Sequence, residues 1–345
     1  MNTIFCLVSR QSMANVLPIL MFQPKQVVLF STPEECRSAD NLEKLFKSKN
    51  IIVQRKDGLN AYDFTEFKNV INNEINKFHD DVCLNVTGGT KLMALAAYEA
   101  FKEHNKKIIY CDTEHQNIIF LSPEYKIENL KADLTIKDYL LSYGYQIKES
   151  KNVNLVEKFF PLFEFILANN LIYEFVLLFK EIRERHVEDY PKITITSRSK
   201  NFIFSKNFDM YNIIFGIQNK RTISIQSYEY KSGDWLEYYV YYILKKHYKL
   251  NPLTGVKIVS DKNVENEIDV LVLKDYKLYS YSCKSGKSDN QYDLFQLETL
   301  RNITSGTFGK GIFVSSKKAN RKFLERAKEL SIKIINILDK QEQYI

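Results

Sequence analysis

The residues best suited to chemistry lie in the last third of the chain, in three short stretches: GDWLE (233–237), NEIDVLVL (266–273) and YSCK (281–284). Side chains on a strand alternate faces, so Glu267, Asp269 and Leu271 share one face, and Ser282 and Lys284 share one face of the next strand. A short hairpin turning at about Lys274 to Lys277 sets Asp269 near Ser282 and Lys284. A helix beginning near Gly233 can bring Glu237 to the same place. Carboxylates beside a lysine are what metal-assisted phosphodiester hydrolysis needs. Hard oxygen ligands hold magnesium or manganese. The cation acidifies a water and offsets charge on the phosphate, while the lysine stabilises that charge or orients the water. Taken alone, Asp269 and Lys284 also fit an ordinary salt bridge between strands.

A second chemical stretch is LNVTGGTKLM (84–93). An apolar strand-like run ends in Thr87-Gly88-Gly89-Thr90-Lys91 and passes into an apolar helix. Two of the chain's 11 glycines are adjacent here. Glycine lets the backbone approach a ligand and adopt positive φ. The first N–H groups of the helix, its dipole and Lys91 all favour an anion. The stretch lacks the glycine spacing of a Walker loop, and a tight turn with a solvated lysine is the plainer alternative. Other strand ends raise the case for a ligand: Ser9-Arg10-Gln11, Ser31-Thr32 and Asp112-Thr113. In a parallel sheet these ends share one edge, where ligands bind. Their hydroxyls, amides and two cations, Arg10 and Lys91, suit phosphates and ribose.

These residues need elements to position them. Residues 1 to about 135 alternate strand-like runs (3–9, 26–32, 50–55, 82–87, 107–113, 117–122) with helical patterns, which predicts a parallel sheet covered on both faces, a Rossmann-like α/β domain. From about 136 to 230 a strongly apolar helical stretch precedes short alternating strands, a small α+β connector without a chemical motif. From 231 to 345 the order is helix, three strands, helix, strand, helix, strand. The length fits two or three domains, and 45% hydrophobic with 26% charged residues fits a globular protein with a real core. The net charge of +7 suits a polyanionic partner. Cys6, Cys36, Cys83, Cys111 and Cys283 form no CxxC and read as reduced thiols of a cytosolic protein, with no disulfide framework and no zinc site. No export signal and no membrane span is expected.

A first strand ending in a serine-containing loop and a fourth ending in NVTGGTK resemble the CARF domain, the CRISPR-associated Rossmann fold, over about residues 1–135. That resemblance implies a homodimer with one cyclic oligoadenylate, by family habit the tetra-adenylate, across its two-fold axis. The ligand residues would be Ser9, Arg10, Gln11, Ser31, Thr32, Thr87, Gly88, Gly89, Thr90, Lys91, Asp112 and Thr113. Residues 231–345 resemble the PD-(D/E)xK restriction-endonuclease fold. The whole chain therefore looks like the CARF-fused CRISPR ancillary nucleases, which cut DNA and RNA when the cyclic nucleotide binds. By that resemblance Asp269 holds the metal, Lys284 is the catalytic lysine and Glu237 the helical glutamate, and the main-chain carbonyl of Cys283 is a further ligand. Ser282 departs from the pattern, which has an acid there; Glu267 or Glu298 could substitute. Lys310, Lys317, Lys318 and Arg321 would steer phosphates, with cleavage largely independent of sequence. The HEPN alternative needs arginine five residues before a histidine, and none of the five histidines has one. A non-catalytic CARF-type sensor with a degenerate nuclease domain is the competing expectation.

Overall fold

The computed structural model describes residues 1–78, 81–286 and 290–339. The N-terminal unit runs β1 (Thr3–Leu7), α1 (Met13–Phe22), β2 (Gln26–Phe30), α2 (Cys36–Ser48), β3 (Ile52–Lys56), α3 (Phe64–Ile75), β4 (Val82–Asn85), α4 (Lys91–Glu103), β5 (Lys107–Asp112), β6 (Asn117–Ser122) and β7 (Lys126–Asn129). Its sheet has the order β3-β2-β1-β4-β5-β6-β7. Strands β1 to β5 pair in parallel, so their carboxyl ends share one edge. The strand order reverses between β1 and β4, which makes that gap the expected ligand crevice. Alternation along β1 builds both cores. Ile4 and Cys6 face α1 and α2, whereas Phe5 and Leu7 face α3 and α4. The all-parallel expectation fails at the edge, where β6 and β7 are antiparallel. The few residues between β5 and β6 cannot make a parallel crossover, which needs about a dozen.

Next come α5 (Ile136–Ser142) and β8 (Tyr145–Glu149), then α6 (Val153–Glu157), α7 (Phe160–Ala168), α8 (Ile172–Glu184) and the strands β9 (Lys192–Thr196), β10 (Phe202–Asn207), β11 (Met210–Phe215) and β12 (Arg221–Gln226). The last four form an antiparallel sheet ordered β12-β11-β10-β9. Although α5 and β8 fall in the stretch read as connector, α5 packs with the N-terminal core and β8 joins the C-terminal sheet.

The C-terminal unit contains α9 (Asp234–Lys246), β13 (Leu253–Ser260), β14 (Glu265–Lys274), β15 (Lys277–Lys284), α10 (Gln291–Ser305), β16 (Lys310–Ser315), α11 (Arg321–Glu329) and β17 (Ile332–Asn336). Its mixed sheet has the order β17-β16-β15-β14-β13-β8. The hairpin between β14 and β15 turns on Asp275 and Tyr276, both with positive φ, the two-residue geometry that matches strand twist. Residues 234 to 244 of α9 are buried except Glu237, so this helix is enclosed nearly all round. Trp235, fully buried, lies 5.2 Å from the ring of Phe175 and 5.6 Å from that of Phe179, which fixes α9 against α8.

One apolar cluster crosses from the first unit to the last. Ile4, Val16 and Leu42 pack in it with Tyr139 and Leu140 of α5 and with Val256, Leu271 and Leu300. The units therefore cannot separate without exposing a common core. Emptying its centre with Tyr139→Ala should lower stability by about 3–5 kcal/mol. Chemical denaturation should show one cooperative transition in both proteins, at lower denaturant in the variant.

Candidate active site and ligand edge

In the C-terminal unit the ladder between β14 and β15 runs from Lys274↔Lys277 to Val270↔Tyr281. Beyond it, the N–H of Cys283 donates to the side chain of Asp269, with Oδ2 at 2.6 Å. The carboxylate thus takes a strand hydrogen bond where the two strands part. The Thr254 hydroxyl donates to the Asp269 carbonyl at 3.0 Å, fixing the other side of the residue. Lys284 follows one residue after Cys283, at the end of β15.

Glu237 reaches this corner from the one position between 234 and 244 of α9 that is not buried. Burial raises its carboxyl above the usual range; the charge of Asp269 adds to the rise and Lys151 opposes it. Burial also raises Asp269, against the Cys283 N–H and Lys284, which lower it. Lys151, which no sequence motif marks, joins them. Its Nζ lies 3.0 Å from Glu237 Oε2 and 3.0 Å from Asp234 Oδ1.

A cleft of ≈ 250 Å³ opens beside Asp269, lined by Glu267, Ser282, Lys284 and, from α10, Asp293. Glu267 is thus at the site. Glu298 is turned to Arg301, at 4.0 Å, and does not line the cleft. Of the basic residues expected to steer phosphates, Arg321 pairs with Glu325 at 2.8 Å, Lys310 and Lys318 are exposed, and Lys317 is half-buried. Arg183 of α8 donates to the Ser285 hydroxyl at 2.8 Å, one residue past Lys284, and makes no ion pair among the described residues.

The donors here are of the hard-oxygen kind that suits magnesium or manganese. Burial keeps the Cys283 thiol neutral, so only its main-chain carbonyl is a hard donor. Ser282 brings a hydroxyl, not a carboxylate, to the cleft. Among the described residues no three histidine, cysteine, aspartate or glutamate side chains converge on one point. The donor chemistry fits a divalent cation with two anionic ligands, and the charge of Asp269 is close enough to raise the Glu237 carboxyl.

At the other end of the molecule, Ser9-Arg10-Gln11 follows β1 and the Thr87–Lys91 turn follows β4, on either side of the sheet's switch point. The Thr87 hydroxyl donates to Asn85 Oδ1 at 2.6 Å and accepts from the Cys111 N–H at 2.7 Å. Asn85 donates in turn to Asn15 Oδ1 at 2.9 Å, and Asn15 to the Leu7 carbonyl at 2.9 Å. Thr90 caps α4 by accepting from the Met93 N–H at 3.2 Å. Gly89 has φ +74, and a Cβ on Gly88 would lie 2.1 Å from the Leu7 carbonyl oxygen, so both glycines are required. Lys91 is exposed and has no carboxylate partner among the described residues.

The remaining edge residues are less free. Ser31 is fully buried and donates to Asp57, and Thr32 is buried. Asp112 accepts from the backbone and ring of His115, while Thr113 is half-buried. Ser9 is half-buried, and Arg10 pairs with Glu35 at 3.3 Å. Gln11 Oε1 accepts from the Thr307 N–H at 3.4 Å, just past α10. A cavity of ≈ 400 Å³ lies at this junction, lined by Arg10, Gln11, Arg37, Tyr143 and Asn302.

Comparison with known proteins agrees with both halves. The family model of the Card1 CARF domain matches residues 3–139, and that of the Card1-like endonuclease domain matches residues 226–342. No curated protein matches the sequence. Among solved structures, Can2 from Sulfobacillus thermosulfidooxidans, in complex with cyclic tetra-adenylate, has a TM-score of 0.74 at 22% identity, covering 98% of this chain and 94% of its own. Protein VC1899 from Vibrio cholerae has a TM-score of 0.74 at 18% identity, covering 97% and 93%. A type III CRISPR defence DNA nuclease activated by cyclic oligoadenylate has a TM-score of 0.57 at 18% identity, covering 91% of this chain and 45% of its own.

The contact of Gly88 with Leu7 gives a direct check on the edge. Gly88→Ala should destabilise the protein by about 1–3 kcal/mol through overpacking, read as a lower midpoint in urea.

Proposed function

The chain joins a Card1-type CARF domain to a Card1-like endonuclease domain, and from that pairing we propose a metal-dependent nuclease switched on by a cyclic oligoadenylate. The observation that carries this reading is the anchoring of Asp269 by the Cys283 N–H where β14 and β15 part, with Lys284 next along and Glu237 facing the same corner.

Magnesium or manganese, held by Glu237, Asp269 and the Cys283 carbonyl, would supply an activated water and offset charge on the phosphate. The protein's own residues do the rest. The Cys283 N–H fixes the Asp269 carboxylate. Lys284 puts a positive charge on the scissile phosphate and stabilises the charge that grows there. Ser282 contributes a neutral donor, and Glu267 and Asp293 bound the cleft. Little base discrimination is expected, so DNA and RNA are both candidate substrates. No described helix is long and apolar enough to cross a membrane; we place the protein's action in the cytoplasm.

The activator in this reading is cyclic tetra-adenylate, the ligand in the Can2 complex. It lies over the Thr87–Lys91 turn, with Lys91 and the first N–H groups of α4 on a phosphate. A ring with rotational symmetry is suited to the same edge on two subunits. The apolar side chains Leu92 (38% exposed), Leu95 (58%) and Tyr62 (79%) beside that turn support a homodimer here. Ser31 and Thr32 serve the fold more than the ligand. A second reading, a non-catalytic nucleotide sensor, is favoured by Ser282 and the two-carboxylate donor set.

Plasmid DNA and single-stranded RNA, each with manganese and with or without cyclic tetra-adenylate, separate the two readings. Activator-dependent cutting that Asp269→Ala or Lys284→Ala slows by about a hundredfold or more supports the nuclease. Activator binding without cutting of either polymer supports the sensor. Lys91→Ala should weaken activator binding by about 10- to 100-fold, the loss of one charge-assisted hydrogen bond, in calorimetric titration.

A further inference from the structure

Lys151 lies in the short link between β8 and α6, and it is built into the centre. Its N–H donates to the Thr254 carbonyl at 2.9 Å. Its side chain then lies across Gly255, which has φ +55; a Cβ there would come within 2.6 Å of Lys151 Cγ and 2.9 Å of Cε. Only glycine leaves room for the aliphatic stem. The ammonium ends 3.0 Å from Asp234, 3.0 Å from Glu237 and 5.1 Å from the Tyr238 ring centroid. Its side chain is 23% exposed, against 10% for Asp234 and 14% for Glu237. Buried charges of this kind persist only when paired. Here the pairing partner of a proposed metal ligand is a cation of the chain itself.

The link has a second end. Among the described residues, edge strand β8 pairs only with β13 in its sheet. It is preceded by α5, whose last residue, Ser142, offers its carbonyl to the Ser12 hydroxyl at 2.8 Å. Ser12 directly follows Ser9-Arg10-Gln11 at the ligand edge. Lys151 therefore hangs on a strand whose start is tied to the loop beside the proposed nucleotide site.

We propose that Lys151 is the resting counter-ion of the nuclease centre, holding Glu237 until a divalent cation is admitted, and that β8 relays the state of the CARF edge to it. This rests on the reading of Glu237 and Asp269 as metal ligands. A divalent cation entering between them meets the ammonium's repulsion and competes with it for Glu237. Moving β8 withdraws the ammonium toward Asp234 and leaves Glu237 to the cation. The coupling is reciprocal, so the activator tightens metal binding and metal tightens activator binding.

The test uses the full chain and manganese chloride alone, without nucleic acid. Bound manganese is read by electron paramagnetic resonance, with and without cyclic tetra-adenylate. Lys151→Met and Lys151→Gln should bind manganese about tenfold or more tightly than wild type without activator, because one positive charge has left the site. The tightening that the activator produces in wild type should shrink in both variants. Unchanged or weaker manganese binding in variants that melt as wild type does would overturn the proposal. So would failure of both variants to fold, which would make Lys151 a clamp on β13. Manganese binding indifferent to Asp269→Asn would remove the metal site itself, and the proposal with it.

Discussion

Negative charge gathered beneath the C-terminal sheet is the constraint to which the rest of the structure answers. Asp234 and Glu237 come from α9 and Asp269 from β14. Burial makes each carboxylate expensive unless a cation or an N–H faces it. The answering groups come from elsewhere in the chain. Lys151 arrives from the end of β8, Lys284 from β15, and the Cys283 N–H from the point where that strand leaves the ladder. Their meeting requires several elements to be held in one frame. The enclosure of α9, with Trp235 wedged against Phe175 and Phe179, provides it.

The N-terminal edge is built on the opposite sign. It presents the exposed Lys91 at the start of α4, with no carboxylate partner among the described residues, and the glycine pair keeps the turn close to β1. Beneath the turn, a chain of hydrogen bonds through Thr87, Asn85 and Asn15 to the Leu7 carbonyl ties β4 to β1 across the switch point. The N- and C-terminal units both contribute to the apolar core that runs through α5, which joins them. Gln11 and Ser12 add polar contacts at that junction, one toward Thr307 past α10 and the other toward α5.

The features legible in the sequence were those set by local periodicity. Alternation along NEIDVLVL and YSCK put Asp269 and Lys284 in one corner, because a two-residue turn at Asp275 and Tyr276 fixes the register of the hairpin. The strand–helix alternation gave the Rossmann-like half, and the strand-to-helix turn gave Thr87–Lys91. Long-range placement was not legible. Lys151 sits in KESKNVN, a polar run with no period, and its approach to Gly255 is visible only in the structure. Strand β8 was hidden because its partner is β13, more than a hundred residues away. Ser31 looked available as a strand-end hydroxyl, yet the chain turns it inward to Asp57. Periodicity says which side of an element is buried; it does not say which distant charge will face it.

A crystal structure of the protein with cyclic tetra-adenylate and manganese, with anomalous data at the manganese edge, would show both sites at once. The expected result is the nucleotide on the Thr87–Lys91 turn of two subunits, an anomalous peak in ligand contact with Glu237 and Asp269, and Lys151 withdrawn from Glu237. A nucleotide bound elsewhere, or manganese away from these carboxylates with Lys151 still on Glu237, would contradict it.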